Sequence, residues 1–271
     1  MSHISSPIAL LIDVLADVSD SEIVIQSQDD NALCVLLNLK RVDGKVVPYN
    51  LLLKGTKNHQ VEVSEYTPNH LPAFCPERHI NYDGTFCLYW EGDINLNVTD
   101  IGKATLWWQT LIGFLLKQER ANKKRQWPDR NVWAHGSAAK FQQQAQLAIE
   151  KIGNNLKDDV LNDYIYVNYN ESRKGNGSYY QVFKNNILWY VVWERFQRVV
   201  GLRQRCLCNP PNKIRQKRYK VSLRNCTGRT HHQQFAKFAI AFYHWKNEEE
   251  KFLMCFKGKT CCGTLNQCPL K

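Results

Sequence analysis

Apolar positions along this chain change their period several times. From Pro7 to Val18 (P-I-A-L-L-I-D-V-L-A-D-V) they recur at helical spacing, with proline at a first-turn position, which predicts an amphipathic helix. Strand patterns follow at Glu22–Gln26, Ala32–Lys40, Tyr49–Lys54 and Val61–Ser64, and the turn pair Asp43-Gly44 joins the second to the third. Three prolines between Tyr66 and Pro76 then exclude a central strand or helix. Helical spacing returns where Trp107-Trp108 lead into Q-T-L-I-G-F-L-L-K, and Trp127-Pro128 breaks it. A further helix is predicted from Trp133 to Gly153, with Ser137 as its cap and Gly153 as its stop. Beyond residue 155 the runs Y-I-Y-V-N-Y and I-L-W-Y-V-V-W predict strands, with Ser172–Ser178 as a loop between them. Phe235–Trp245 predicts an amphipathic helix ahead of Glu248–Glu250.

Composition divides the chain in two. Residues 195–271 hold 17 Lys+Arg against 3 acidic residues, while residues 1–194 hold 19 basic against 22 acidic. Three cysteines lie early (Cys34, Cys75, Cys87), and the other seven follow residue 205. Such a break argues for two modules. We therefore expect one domain over 1–153 and a basic, cysteine-rich module over 154–271. Hydrophobic content of 44% favours a globular fold over disorder. No apolar run approaches the ~20 residues of a membrane helix, so no membrane partner is expected. The opening M-S-H-I-S-S-P lacks a basic n-region, and a cytoplasmic location is expected.

The most informative stretch is Glu77–Trp90, E-R-H-I-N-Y-D-G-T-F-C-L-Y-W. Asp83-Gly84 form a turn three residues before Cys87, and His79 lies eight residues upstream of that cysteine. This resembles the active-site segment of ubiquitin-conjugating enzymes, which carry a His-Pro-Asn triplet, a short turn with glycine, and then Gly-x-aliphatic-Cys-Leu. With Cys87 and Gly84 in register, Glu77-Arg78-His79 fall on the triplet and His79 takes the place of the asparagine. The helix-then-meander order and the proline-rich stretch match that family too, over roughly residues 5–152. A connection from Cys87 to Trp107 longer than the family's implies an insertion.

The resemblance implies an α+β ubiquitin-conjugating-enzyme-like fold: an N-terminal helix, an antiparallel meander and C-terminal helices. A smaller α+β cysteine-rich module follows it. The implied chemistry is acyl transfer without a cofactor. Cys87 would accept a ubiquitin-like modifier as a thioester from an activating enzyme and pass it to a nucleophile on a target protein. Free cysteine has a pKa of ~8.5, so some thiolate exists near neutrality. His79 could donate a hydrogen bond to the oxyanion or take a proton, and Asn81 could share that role. One oxyanion donor is worth ~3 kcal/mol in hydrolases. By its place before the late helix, His135 could assist the attacking amine, with Asp129 and Asn131 just upstream. An altered triplet with a cysteine-rich extension is similar to divergent bacterial relatives, some of which act in antiviral defence.

The tail carries Cys206, Cys208, Cys226, Cys255, Cys261, Cys262 and Cys268, with His231, His232 and His244 among them. These are candidate ligands for a structural zinc, although no C-x-x-C pair occurs; disulfides and unligated thiols are the alternatives. The basic balance could serve nucleic acid or an acidic protein. Three other functions stay open. One is a module that only holds ubiquitin-like proteins. Another is a hydrolase using Cys87 and His79, oriented by Glu77 or Asp83. The last is a zinc-dependent nucleic-acid binder working through the tail.

Overall fold

The computed structural model describes residues 6–18, 21–129, 132–153, 156–171, 177–202, 206, 226 and 231–271. The chain forms two compact units, one of residues 1–130 with 257–271 and the other of residues 131–256. The division thus falls ahead of the expected boundary at 153, and the last fifteen residues belong with the first unit. Both units are α+β, each with its own four-stranded antiparallel sheet. No described helix is long and apolar enough to cross a membrane.

The first unit begins with helix α1 (Pro7–Asp13), capped by Ser6, whose Oγ accepts the Ala9 N–H at 3.1 Å. A single 3-10 turn, Leu15–Asp17, completes the predicted helical stretch. Strands β1 (Glu22–Gln28), β2 (Ala32–Lys40), β3 (Val46–Gly55) and β4 (Val61–Glu65) form a meander in chain order. One face of it is apolar because period-two alternation sends Leu33, Val35, Leu37 and Leu39 of β2 inward with Tyr49, Leu51 and Leu53 of β3. They share a core with Ile8 and Leu11 of α1 and Trp107, Trp108 and Leu111 of α2 (Ile101–Lys124). The buried Trp108 indole donates to the Leu11 carbonyl at 3.0 Å, tying α1 to α2.

Helix α2 starts six residues earlier than the Trp107-Trp108 pair led us to expect. Asp100 caps it, accepting the Lys103 N–H at 2.9 Å. Its first turn contains Gly102 and exposed Ile101, so apolar spacing is silent there while the cap is not. The loop after Cys87 is correspondingly shorter than the insertion expected through Trp107. The proline-rich stretch is irregular, as its prolines require. The buried Glu65 carboxylate shapes its start by accepting the N–H groups of Asn69, His70 and Leu71 at 3.0–3.1 Å.

In the second unit, α3 (Ala138–Glu150) packs on α5 (His231–Met254), and α4 (Leu156–Leu161) leads into the sheet β5 (Ile165–Asn170), β6 (Tyr179–Lys184), β7 (Ile187–Trp193) and β8 (Arg198–Val199). Alanines on both helices (Ala138, Ala145 and Ala148; Ala236, Ala239 and Ala241) let the backbones approach closely. Aromatic and β-branched residues of the sheet close the core. Ser137 does not cap α3 through its side chain as expected; its hydroxyl donates to Glu248 at 2.8 Å. Helix α5 runs through the acidic Glu248–Glu250 stretch, which the sequence placed beyond it.

Arg78 is fully buried in the first unit and is held by Gln118 of α2. Its Nε donates to Gln118 Oε1 and Gln118 Nε2 donates back to the Arg78 carbonyl, each at 2.7 Å. Gln118→Leu leaves both groups unpaired without access to water. Unfolding in urea is expected to show a loss of about 3 kcal/mol; a loss below about 1 kcal/mol would mean that the pair contributes little.

Candidate functional site

The segment from Cys75 to Cys87 is a short loop closed almost entirely by its own backbone. Cys75 and Ile80 exchange N–H···O bonds at 3.1 and 3.0 Å across the 3-10 turn Pro76–Arg78. His79 ends that turn in the left-handed region (φ 54°, ψ 39°) and donates its N–H to the Pro76 carbonyl at 2.8 Å. A second turn follows. Gly84, at φ +83°, donates to the Asn81 carbonyl, and the Asp83 carboxylate accepts the Thr85 N–H and hydroxyl at 3.0 and 2.6 Å. These Thr85 bonds hold the Asp83 carboxyl below the usual carboxylate range. Phe86 then dives into the core against Phe114, with its N–H on the Val63 carbonyl of β4. The Cys87 N–H returns to the His79 carbonyl at 2.8 Å. Backbone bonding therefore joins His79 to Cys87, and the adjoining Arg78 roots the loop in α2.

Cys87 itself is exposed, while Phe86 beside it is buried. Its Sγ lies 3.9 Å from the Tyr89 carbonyl. Protein atoms packed around the sulfur push its thiol pKa up, and burial is the single resolved cause. His79 is nine-tenths buried, its ring centroid 5.3 Å from that of Trp127. Asn81 is exposed, and its amide donates to the Thr85 hydroxyl at 3.0 Å. Of the carboxylates considered as orienters of His79, Asp83 is engaged by Thr85. An open cleft of about 340 Å³ borders the same turn, lined by Tyr66, Leu71, Ala73, Tyr82 and Phe86 among others.

His135 falls in the other unit. Its backbone N–H donates to Glu249 at 2.8 Å, its Nδ1 pairs with the same carboxylate, and its ring stacks on Phe252 at 4.6 Å. Asp129 is paired with Lys117 at 2.8 Å, and Asn131 lies outside the described residues.

Comparison with protein families matches residues 21–129 to a prokaryotic E2 domain and residues 134–270 to a cysteine-rich domain that is C-terminal to the E2 domain. The chain belongs to the prokaryotic E2 family with a cysteine-rich extension. Searches of curated proteins and of solved structures returned no match. The E2 domain so matched contains the whole Cys75–Cys87 loop and the sheet and helix that support it.

Of the seven candidate cysteines, Cys206, Cys226 and Cys255 lie in the second unit and Cys261, Cys262 and Cys268 in the first. Among the described residues, one group has all its metal-capable atoms within 4.8 Å of one another: Cys206, Cys226 and His231. His231 Nδ1 lies 3.3 Å from Cys206 Sγ and 3.1 Å from Cys226 Sγ. Burial lowers the His231 pKa, opposed by a backbone hydrogen bond to Lys151; the neutral ring is the form that binds metal. That second hydrogen bond is the kind that orients a metal-binding imidazole. Two sulfurs and one nitrogen suit zinc, which takes a fourth ligand; Cys208 lies outside the described residues. Cys255 is not part of the group: it is exposed and its Sγ donates to the Lys251 carbonyl at 3.3 Å. Cys261, Cys262 and Cys268 belong to the first unit, in the company of Cys75, which the sequence marked only for packing. Of the three tail histidines noted in the sequence, His231, five residues from Cys226, is the one in the group.

Two outcomes follow from this geometry. Alkylation of Cys87 by iodoacetamide, followed by peptide mass, should show a midpoint above the ~8.5 of a free cysteine; a midpoint below that would contradict the packing around the sulfur. Zinc measured on purified protein should fall by about one equivalent in Cys226→Ser and in His231→Ala, and unchanged zinc would remove these residues as ligands.

Proposed function

We propose that the E2 domain carries a ubiquitin-like modifier as a thioester on Cys87, taken from an activating enzyme and delivered to a nucleophile on a target protein. The observation that carries this reading is an exposed cysteine at the end of a backbone-closed loop, within a domain of the E2 family. A modifier and an activating enzyme are the general partners of that family. The prokaryotic match, the bacterial antiviral setting brought by the resemblance, and a cytoplasm that keeps thiols reduced all belong to the same proposal.

In the first step the Cys87 thiolate attacks the thioester carbonyl held by the activating enzyme. The tetrahedral oxyanion collapses and expels the other thiolate, so one C–S bond forms as one breaks. In the second step an amine attacks the new thioester, Cys87 leaves as thiolate, and the amine proton passes to solvent or a base. A raised thiol pKa makes the thiolate scarcer near neutrality but more nucleophilic once formed. Loading by this route depends on position more than on acidity. The cleft beside Tyr82 has room for an extended tail of the modifier.

His79 acts in this scheme chiefly as a positioning residue. Its left-handed backbone aims its carbonyl at the Cys87 N–H, and its ring is packed against Trp127. Asn81 braces the neighbouring turn through Thr85. His135, engaged by Glu249 and Phe252, is given no chemical step. The hydrolase alternative needs a carboxylate to orient His79, and Asp83 is engaged by Thr85 instead. A nucleic-acid role would rest on the basic tail, much of which lies outside the described residues.

The test is intact mass under non-reducing conditions after co-expression with a candidate activating enzyme and modifier. Wild type should carry a thiol-labile adduct, Cys87→Ser a thiol-stable oxyester, and Cys87→Ala none. A partner that charges itself yet yields no adduct on wild type would leave the binding-module reading in its place. His79→Asn should load at near wild-type rate, since asparagine tolerates the left-handed region, whereas the β-branched His79→Val should load ~10-fold or more slowly. Equal loss in both variants would assign the chemistry to the imidazole ring.

A further inference from the structure

Four cysteines of the first unit come together from opposite ends of the chain. Cys75, at the mouth of the Cys87 loop, is 1% exposed and within hydrogen-bonding reach of Cys262. Cys268, also buried, makes the same contact with Cys261 and interacts electrostatically with both Cys262 and Cys75. Leu265, Ala121 and Trp127 pack around them. The tail that brings three of these sulfurs is fastened to the end of α2. Arg125, itself left-handed at φ 52°, donates to the Gly263 carbonyl at 2.5 Å and to Asn266 Oδ1 at 3.0 Å, and its carbonyl accepts the Asn266 N–H at 2.8 Å.

Each of the four sulfurs also receives a backbone N–H. Gly263 donates to Cys261 at 3.4 Å, Thr264 to Cys262, Leu270 to Cys268, and Arg78 to Cys75. For the three tail cysteines the donor lies two residues further along the chain. Such bonds favour the thiolate, which is the form that binds metal. A second observation is independent of the sulfurs. The buried Arg78 guanidinium leaves its Nη1 without a hydrogen-bond partner, and Cys75 and Cys262 are the cysteines that act on its charge. Glu119 also acts on that charge, and thiolates at Cys75 and Cys262 would add compensation that neutral thiols do not.

We propose that Cys75, Cys261, Cys262 and Cys268 form a tetrathiolate site for a soft divalent metal, zinc by chemistry, that clasps the C-terminal tail to the segment leading into Cys87. Four thiolates around one divalent cation carry two net negative charges, which answer the buried Arg78. Burial opposes ionisation of Cys262, yet the Thr264 hydroxyl and N–H, Cys75 and Arg78 together hold its thiol below the usual range. Cys75 is pushed up by burial and by Cys262, and Cys268 is pushed up to about 11, first by burial. On binding, the cation displaces the thiol protons into solvent. The sulfurs stand as two hydrogen-bonded pairs. Zn–S bonds of ~2.3 Å place tetrahedral ligands ~3.8 Å apart, so metal binding draws the two pairs into one group. This site is separate from Cys206, Cys226 and His231 and lies in the other unit.

The experiment is native mass spectrometry of the full chain purified with zinc. Cys75→Ser and Cys268→Ser are each expected to lose one zinc relative to wild type. Cys34→Ser, a cysteine on β2, should lose none. Either variant combined with Cys226→Ser should lose a second zinc. Circular dichroism identifies a variant that fails to fold, and Cys268→Ser, close to the chain end, stands in for Cys75→Ser in that event. Cobalt-loaded protein should show thiolate-to-cobalt charge-transfer bands that weaken in the same variants. Unchanged zinc counts in both would overturn the proposal. So would a wild type lacking metal and lighter by the hydrogens of disulfides Cys75–Cys262 and Cys261–Cys268. Metal counting does not depend on thioester chemistry, so this proposal and the conjugation reading fail separately.

Discussion

A charged guanidinium with no exposed surface, Arg78, sits directly beneath the loop that presents Cys87. Its reciprocal bonds with Gln118 couple the loop to the middle of α2, whose tryptophans are in turn the centre of the first unit's core. The loop has little hydrophobic surface with which to secure itself, since Asn81, Tyr82, Asp83 and Cys87 are exposed. Ile80 and Phe86 anchor its two arms, and the Arg78 pair sets its base. A buried hydrogen-bonded charge is strongly directional, so it specifies one placement of the loop where apolar packing alone would tolerate several.

Under the proposed thioester role, that arrangement lets Cys87 act without being acidic. Nothing resolved near Cys87 lowers its pKa; burial raises it. The loop supplies an accessible sulfur with a fixed direction, through the Cys87 N–H on the His79 carbonyl and the left-handed turn that aims it. In transfer between thiols of similar acidity the free-energy change is small, and orientation supplies much of the available acceleration. The side chain at position 79 is then free to differ from asparagine, provided the backbone can adopt the same region.

The cysteines illustrate a second constraint. A count along the chain assigns seven to the tail, but the fold sorts them by unit. Cys206 and Cys226 meet at the start of α5, and Cys261, Cys262 and Cys268 meet Cys75 beside α2. The cysteine-rich match extends to residue 270, so its last residues contribute to the core of the unit that holds the E2 domain.

Periodicity and turn chemistry determined a great deal by themselves. The β2 strand was legible to the residue because Ala32–Lys40 is a short, largely apolar run and Asp43-Gly44 marks the turn beyond it. The turn before Cys87 was legible because Asp83-Gly84 is a local turn signal, whereas Cys87 was singled out by resemblance to the conjugating-enzyme segment. The start of α2 was misplaced because its first turn is polar and its signal is a capping aspartate. His135 was paired with the Cys87 loop by sequence order, whereas Glu249, more than a hundred residues away, holds it in the second unit. The Arg78–Gln118 pair, the gathering of His231 with two cysteines and the company of Cys75 all join residues distant in sequence. Sequence by itself determines the local elements, since period, caps and turns act over a few residues. Only tertiary structure decides which buried charge, thiol or imidazole meets which partner, because those pairings depend on how the chain returns upon itself.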